Sequence, residues 1–196
     1  MIALQWLLPD RLTPGPRWLL PVIEVALVVV LNAADPGRVK RDIPALRMVA
    51  LGLITVVSLG TVYSVAMLVR DIVGKHDAGT PGQRLFVGGG IYLMNILTFA
   101  VWFWELDRGG PAARARGTDP YPDFLFPPMT SPDMAHKDWE PRFADYLYVA
   151  FTNATAFSPT DTLPMTRGAK SGMALESTIA LIIAALVVAQ AINSLG

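Results

Sequence analysis

The chain has 196 residues, of which 53% are hydrophobic and only 16% charged, and its sixteen basic and sixteen acidic residues cancel. Soluble domains carry about a quarter charged residues, so the composition points to a polytopic membrane protein. The zero net charge leaves no electrostatic basis for binding nucleic acid. There is no cysteine, which excludes disulfides, thiolate catalysis and cysteine-based zinc sites together.

Residues 1–17 hold an apolar patch with Trp6 that Pro9 and Asp10 interrupt. No positive charge precedes the patch, so it reads as an interfacial segment rather than a signal peptide. The first span candidate is Trp18 to Ala34, seventeen residues, at the lower limit for crossing a hydrocarbon core. Pro21 sits in its first turn, where a missing N–H costs little. Glu24 is the anomaly. An intramembrane carboxylate is costly unless paired, protonated or wet, and its shallow position favours a hydrogen bond to a neighbouring helix over ion handling.

A loop with Pro36–Gly37 leads to span two, Met48 to Val69, which carries no charge. Along it Gly52, Thr55, Ser58, Thr61 and Ser64 recur at every third position, a small and hydroxyl stripe expected to pack against neighbouring helices. Span three runs from Leu85 to Trp104. Gly88, Gly89 and Gly90 permit close approach near one end, and Trp102, Phe103 and Trp104 at the other read as an interfacial aromatic belt. Asn95 and Thr98 lie on one face as interhelical hydrogen-bonding groups, with Glu105 beyond them. From Asp107 to Glu140 the chain is polar and proline-rich, so neither helix nor sheet can run far, and an external loop with aromatic anchors is expected. Asp133, His136, Asp138 and Glu140 lack the scaffold of a metal site and read as a solvated cluster. No internal repeat, phosphate-binding loop, zinc-protease motif or nucleophile elbow is present. Nothing in the chain proposes an enzyme or a cofactor.

The last quarter organises the rest. Pro141 suits the first position of a helix, and Phe143, Leu147 and Phe151 recur every four residues on one side of it. From Arg142 to Thr155 is fourteen residues, about 21 Å at the α-helical rise, too short to cross a membrane. Thr152, Asn153, Ala154 and Thr155 turn polar, and Ser158–Pro159 ends any helix. A final helix then runs from Ala169 to Asn193. Glu176, Ala180, Ala184, Val187 and Ala191 form one strip along it, which either lines a water path or packs against another helix.

Residues 146–190 resemble the pore module of the tetrameric potassium-channel superfamily, in which a pore helix ends in a T-T-V-G-Y-G-D filter, followed by a proline, a basic residue and an inner helix. The likeness rests on Phe151–Thr152, Thr155, Asp161, Pro164 and Arg167, and covers about a quarter of the chain. Similar tails occur in small uncharacterised bacterial membrane proteins. The centre of the filter departs from the family: Ala156, Phe157, Ser158, Pro159 and Thr160 precede Asp161. A potassium filter aims successive backbone carbonyls at the ion. Side chains at the two glycine positions, and a proline with fixed φ and no N–H, oppose that geometry.

The resemblance implies an all-α membrane protein with four transmembrane helices and a re-entrant pore helix between helices three and four, assembled as a homotetramer in a bacterial inner membrane. Thr155, Ala156, Phe157, Ser158, Pro159, Thr160 and Asp161 would form the pore loop. Its hydroxyls and a ring of Asp161 carboxylates would hold hydrated monovalent or divalent cations with weak selectivity. This orientation places 106–170 outside and makes the loop with Arg38, Lys40, Arg41 and Arg47 external, whereas the positive-inside tendency prefers the reverse. Two other readings remain: a non-conducting scaffold or accessory subunit whose loop is sealed by Phe157 and Pro159, and a small proton-coupled carrier using Glu24 or Glu176.

Overall fold

The computed structural model describes residues 12–16, 18–33, 44–73, 80–117, 119–136, 139–156 and 161–193. They form an almost wholly helical chain: α1 (Leu19–Ala33), α2 (Pro44–Val73), α3 (Pro81–Leu106), α4 (Pro111–Arg116), α5 (Pro127–Thr130), α6 (Phe143–Ala156) and α7 (Arg167–Asn193). The only sheet among the described residues is a two-residue pair, β1 (Phe124–Leu125) antiparallel to β2 (Leu163–Pro164), with Phe124 opposite Pro164. Three helical stretches, Arg47–Asp71, Gly82–Arg116 and Arg167–Ala189, are long and apolar enough to cross a membrane. At 15 residues α1 is shorter than these.

The central element is α3, against which α2, α6 and α7 all pack. Its start is fixed by a capping box: Thr80 accepts from the Gln83 N–H and Gln83 accepts from the Thr80 N–H, with Pro81 at the first helical position. α7 runs antiparallel to it. Gly172 lies beside Phe103, Asn95 reaches the Glu176 carbonyl, and Val187 lies against Gly88. The core is continuous along this seam. Phe103, Phe124, Phe126 and Tyr146 gather at one end, and Val87, Ile91, Met94 and Ile183 fill the other.

Several sequence expectations change once helices are in contact. Phe103 is buried and packs at a tilt against Phe124, with ring centroids 4.9 Å apart; Trp102 donates to Ser58 Oγ, and Trp104 meets Phe143 edge-on. That trio contributes core and inter-element packing. The hydroxyl stripe on α2 spends its protons mainly on its own helix: Thr55, Ser58 and Thr61 each bond the carbonyl four residues back. Ser64 also reaches the Leu12 carbonyl. α1 approaches α2 at Gly60, under Leu20, and not at Gly52, which faces open space. Glu24 is buried, at 3% exposure.

The proline-rich loop is ordered by its aromatic residues. Phe124 and Phe126 alternate inward and bury against Tyr146 and Phe103. Within it, α4 folds back so that Arg114 Nη1 donates to the Trp104 and Asp107 carbonyls, at 2.6 and 2.8 Å. The Asp107 carbonyl also accepts the Gly110 N–H at 3.0 Å, so Arg114 adds a charged donor where the end of α3 runs out of intrahelical partners.

Candidate functional site

The unusual element is α6, 14 residues or about 21 Å long, lying between α3 and α7. Its N-terminus is not capped by Pro141, which lies two residues ahead of the helix. Instead Asp145 turns back to accept the Arg142 N–H at 2.7 Å, an arrangement that also sets a carboxylate in the positive first turn. Its buried side carries Tyr146, Val149, Ala150, Asn153 and Ala154. The Phe143, Leu147 and Phe151 stripe read from sequence flanks that side: Leu147 packs partly against the core, Phe143 meets Trp104 edge-on, and Phe151 is half exposed.

Two polar clusters hold α6 at its ends. At the upper end Asp107, fully buried, accepts the Tyr146 O–H and the Asp123 and Phe124 N–H groups. Burial pushes the Tyr146 hydroxyl well above its ordinary value, against the nearby Arg114 guanidinium and with help from Asp107, so it stays a proton donor. Asp123 in turn accepts the Arg108 N–H at 2.9 Å and the Thr166 O–H, while its carbonyl accepts the Met165 N–H at 2.8 Å. Thr166 Oγ1 then accepts the Ala169 N–H at the start of α7. Asp107, Asp123 and Thr166 thereby tie the end of α3 and the starts of α6 and α7 to one level.

At the lower end Tyr92, roughly midway along α3, donates its hydroxyl proton to the Ala154 carbonyl at 2.8 Å. Asn153 Nδ2 donates to Glu176 Oε2 at 2.8 Å and to the Met173 carbonyl at 2.9 Å, and Ser177 donates to the Asn153 carbonyl. Asn95 Nδ2 donates to the Glu176 carbonyl at 3.3 Å. Glu176 and Asn95 are both almost wholly buried, and Glu176 Oε1 and Asn95 Oδ1 have no hydrogen-bond partner. The chain therefore starts α6 beside Asp107, ends it beside Tyr92, and is back beside Asp123 by residue 165.

The predicted site residues divide three ways. Thr155 and Ala156 close α6 and are exposed, Thr155 Oγ1 donating to the Phe151 carbonyl; Asp161 is exposed and accepts weakly from Thr162 at 3.5 Å. Phe157, Ser158, Pro159 and Thr160 lie outside the described residues. The Glu176, Ala180, Ala184, Val187 and Ala191 strip turns towards the chain's own interior: Glu176 and Ala180 are fully buried, and Val187 is half-buried against α3. Ala184 and Ala191 are partly buried. Of the acidic loop cluster, Asp138 lies outside the described residues, and no group of three metal-ligating side chains occurs among the described ones.

Sequence reading missed Asp107, Asp123, Tyr146 and Asn153 as a set. The Tyr146–Val149–Ala150–Asn153 spacing of three, one and three fits one helix face, with its two polar members seven residues, about two turns, apart. No protein-family model matches the chain, and comparison with curated proteins and with solved structures finds no match.

Proposed function

We propose that the chain is a pore-loop membrane protein in which α6 is a re-entrant pore helix and the loop from Thr155 to Asp161 forms the constriction of a weakly selective cation pathway. The observation that carries this reading is the half-depth course of α6. It begins level with one end of α3, stops at Tyr92 near the middle, and the chain regains its starting level within ten residues of Ala156. Such a dip is tolerated at membrane depth only where protein or water satisfies the backbone. The clamp of Tyr92, Asn153 and Ser177 on the last turn supplies part of that satisfaction. The reading takes α1 as a fourth span, places residues 106–170 outside a bacterial inner membrane, and requires a homotetramer, since one such hairpin encloses nothing. Thr155, Ser158 and Thr160 offer hydroxyls, and Asp161 offers an exposed carboxylate that concentrates cations at the mouth, an effect that salt screens.

One observation favours the sealed alternative. The side of α7 left open within the chain is aliphatic, with Leu181, Ile182 and Val188 exposed, and an aliphatic constriction closes a pore by dewetting. In that case the same assembly is a non-conducting scaffold. Planar-bilayer recording separates the two: a channel gives cation currents whose conductance at low salt falls in Asp161→Asn, whereas a tetramer that is silent in both forms leaves the scaffold reading standing.

A further inference from the structure

The proline-rich loop lines a cavity of about 710 Å³ beside the end of α3, in the upper part of the range of small-molecule sites, roughly 300–1,000 Å³. Five prolines stand in its wall and restrict the backbone around it to few conformations. Its charged groups are sorted by depth. Arg108 and Arg114 are partly buried, whereas Asp133, His136 and Glu140 are exposed. Trp139 lies beside Glu140, tilted against Phe126. The cavity thus has a cationic floor and an acidic rim.

Both guanidinium groups hold unspent donors. Arg114 lies over the Tyr146 ring at 5.1 Å, and its Nη1 serves the Trp104 and Asp107 carbonyls. Its Nε and Nη2 have no acceptor among the described residues. Arg108 Nε is closed off beside Asp107, but its two Nη groups also lack an acceptor there, and none of these four nitrogens is shut away from solvent. The ion pair that Arg108 makes is with Asp107, not with the rim. Asp107 and Asp123, the carboxylates behind this floor, are engaged by hydroxyls and backbone N–H groups. Arg108 is also held at φ 49°, a strained conformation of the kind that gathers at ligand clamps.

We propose that this cavity binds a zwitterion, a phosphate diester that carries an ammonium group, with its phosphate on Arg108 and Arg114 and its ammonium at Asp133 and Glu140. A guanidinium fork matches two phosphate oxygens, and Trp139 offers the ammonium an aromatic neighbour. Placement favours phosphate over carboxylate. Arg114 is tied to the last carbonyls of α3, in a stretch long and apolar enough to cross a membrane, and a span ends at the depth of phospholipid headgroups. The same chemistry occurs in the head of a zwitterionic phospholipid and in a free ester. Conduction plays no part in this site.

The test titrates the full-length protein in dodecyl maltoside, which carries no phosphate and no charge. Isothermal titration calorimetry compares glycerophosphoethanolamine with glycerophosphoglycerol, which lacks the ammonium, and native mass spectrometry compares adducts of the two corresponding phospholipids. The ethanolamine compound should bind up to about fivefold more tightly than its glycerol counterpart, the scale of an exposed ion pair. Arg108→Gly should weaken its binding about tenfold or more, the scale of a hydrogen bond to a charged group. The fold should survive that change, since glycine takes this φ freely; Arg108→Gln serves if it does not. Asp133→Asn combined with Glu140→Gln, both on the surface, should abolish the preference for ethanolamine. Binding of the lipid alone assigns the site to a headgroup, and binding of the free ester assigns it to a soluble ligand; either supports the proposal. No binding of any probe, equal binding of the ethanolamine and glycerol compounds, binding unchanged by loss of the Arg108 guanidinium, or a preference that survives the double substitution overturns it.

Discussion

Arg108 occupies a backbone conformation that its side chain resists. Three successive residues after α3 have positive φ, at 49° for Arg108, 78° for Gly109 and 96° for Gly110, and only the first is not glycine. A non-glycine residue held there costs about 1–3 kcal/mol. Arg108 returns little for it: its Nε lies 3.7 Å from Asp107 Oδ2, and Asp107 already accepts from Tyr146, Asp123 and Phe124. Arg108→Gly should therefore raise stability by about 1 kcal/mol, seen as a higher midpoint in detergent thermal unfolding; a lower midpoint would mean that the Arg108–Asp107 pairing outweighs the strain. The lower clamp makes the opposite kind of demand. Asn153→Leu strands a buried Glu176 Oε2 that has no other hydrogen-bond donor, and should cost about 1–3 kcal/mol. Adding Glu176→Leu removes the stranded carboxylate and should recover most of that loss, because replacing both partners with apolar groups is nearly neutral. A double variant that is as unstable as the sum of the two single ones would show that the pair does not act as a unit.

At the scale of elements, the glycines of α3 separate cleanly. A Cβ added at Gly88 collides with Val187 Cγ2 on α7, whereas one at Gly89 meets nothing within 4 Å. Val187 is β-branched and stiff in a helix, so Gly88→Ala should destabilise by about 1–3 kcal/mol. Gly89→Ala should stabilise by about 0.5–1 kcal/mol through helix propensity. Thermal unfolding of the two variants side by side checks both signs, and equal effects would disprove the close crossing of α3 and α7. The sequence marked all three glycines as a contact site without distinguishing them, since only the crossing point of a partner 99 residues further on does so. The long helices were legible because length and apolarity declare them, and the short α6 because polar residues and Pro159 bound it. Which face of α6 is buried was not legible: Phe143, Leu147 and Phe151 are as apolar as Val149 and Ala150, and in a membrane protein both sides of a helix can be. Phe124 and Phe126 were readable as anchors but not as core. Their burial depends on Tyr146 and Phe103, which are distant in sequence.

For the whole molecule, the open question is what covers α7. Its most apolar window is only 22% buried within the chain, against 56% for the stretch that contains α3. Apolar exposure does not by itself call for a partner, because lipid solvates leucine as well as another helix does. Small residues on an exposed face are more informative, since they lower the cost of close helix approach. Ala174 and Thr178 supply such a patch one turn apart on the exposed side of α7, with the Thr178 hydroxyl turned back to the Ala174 carbonyl at 2.7 Å so that no unmet polar group faces outward. If four copies meet along α7, this patch lies where the helices cross, and a bulky side chain there costs about 1–3 kcal/mol per copy, repeated around the ring. Ala174→Trp should then shift native mass spectra in mild detergent from tetramer to smaller species. Val25→Trp, on the exposed side of α1 and away from that patch, should then leave the tetramer intact. Dissociation by both substitutions would place α1 in the interface as well. An unchanged tetramer in Ala174→Trp would remove α7 from it, and with α7 the central axis that a conducting loop requires.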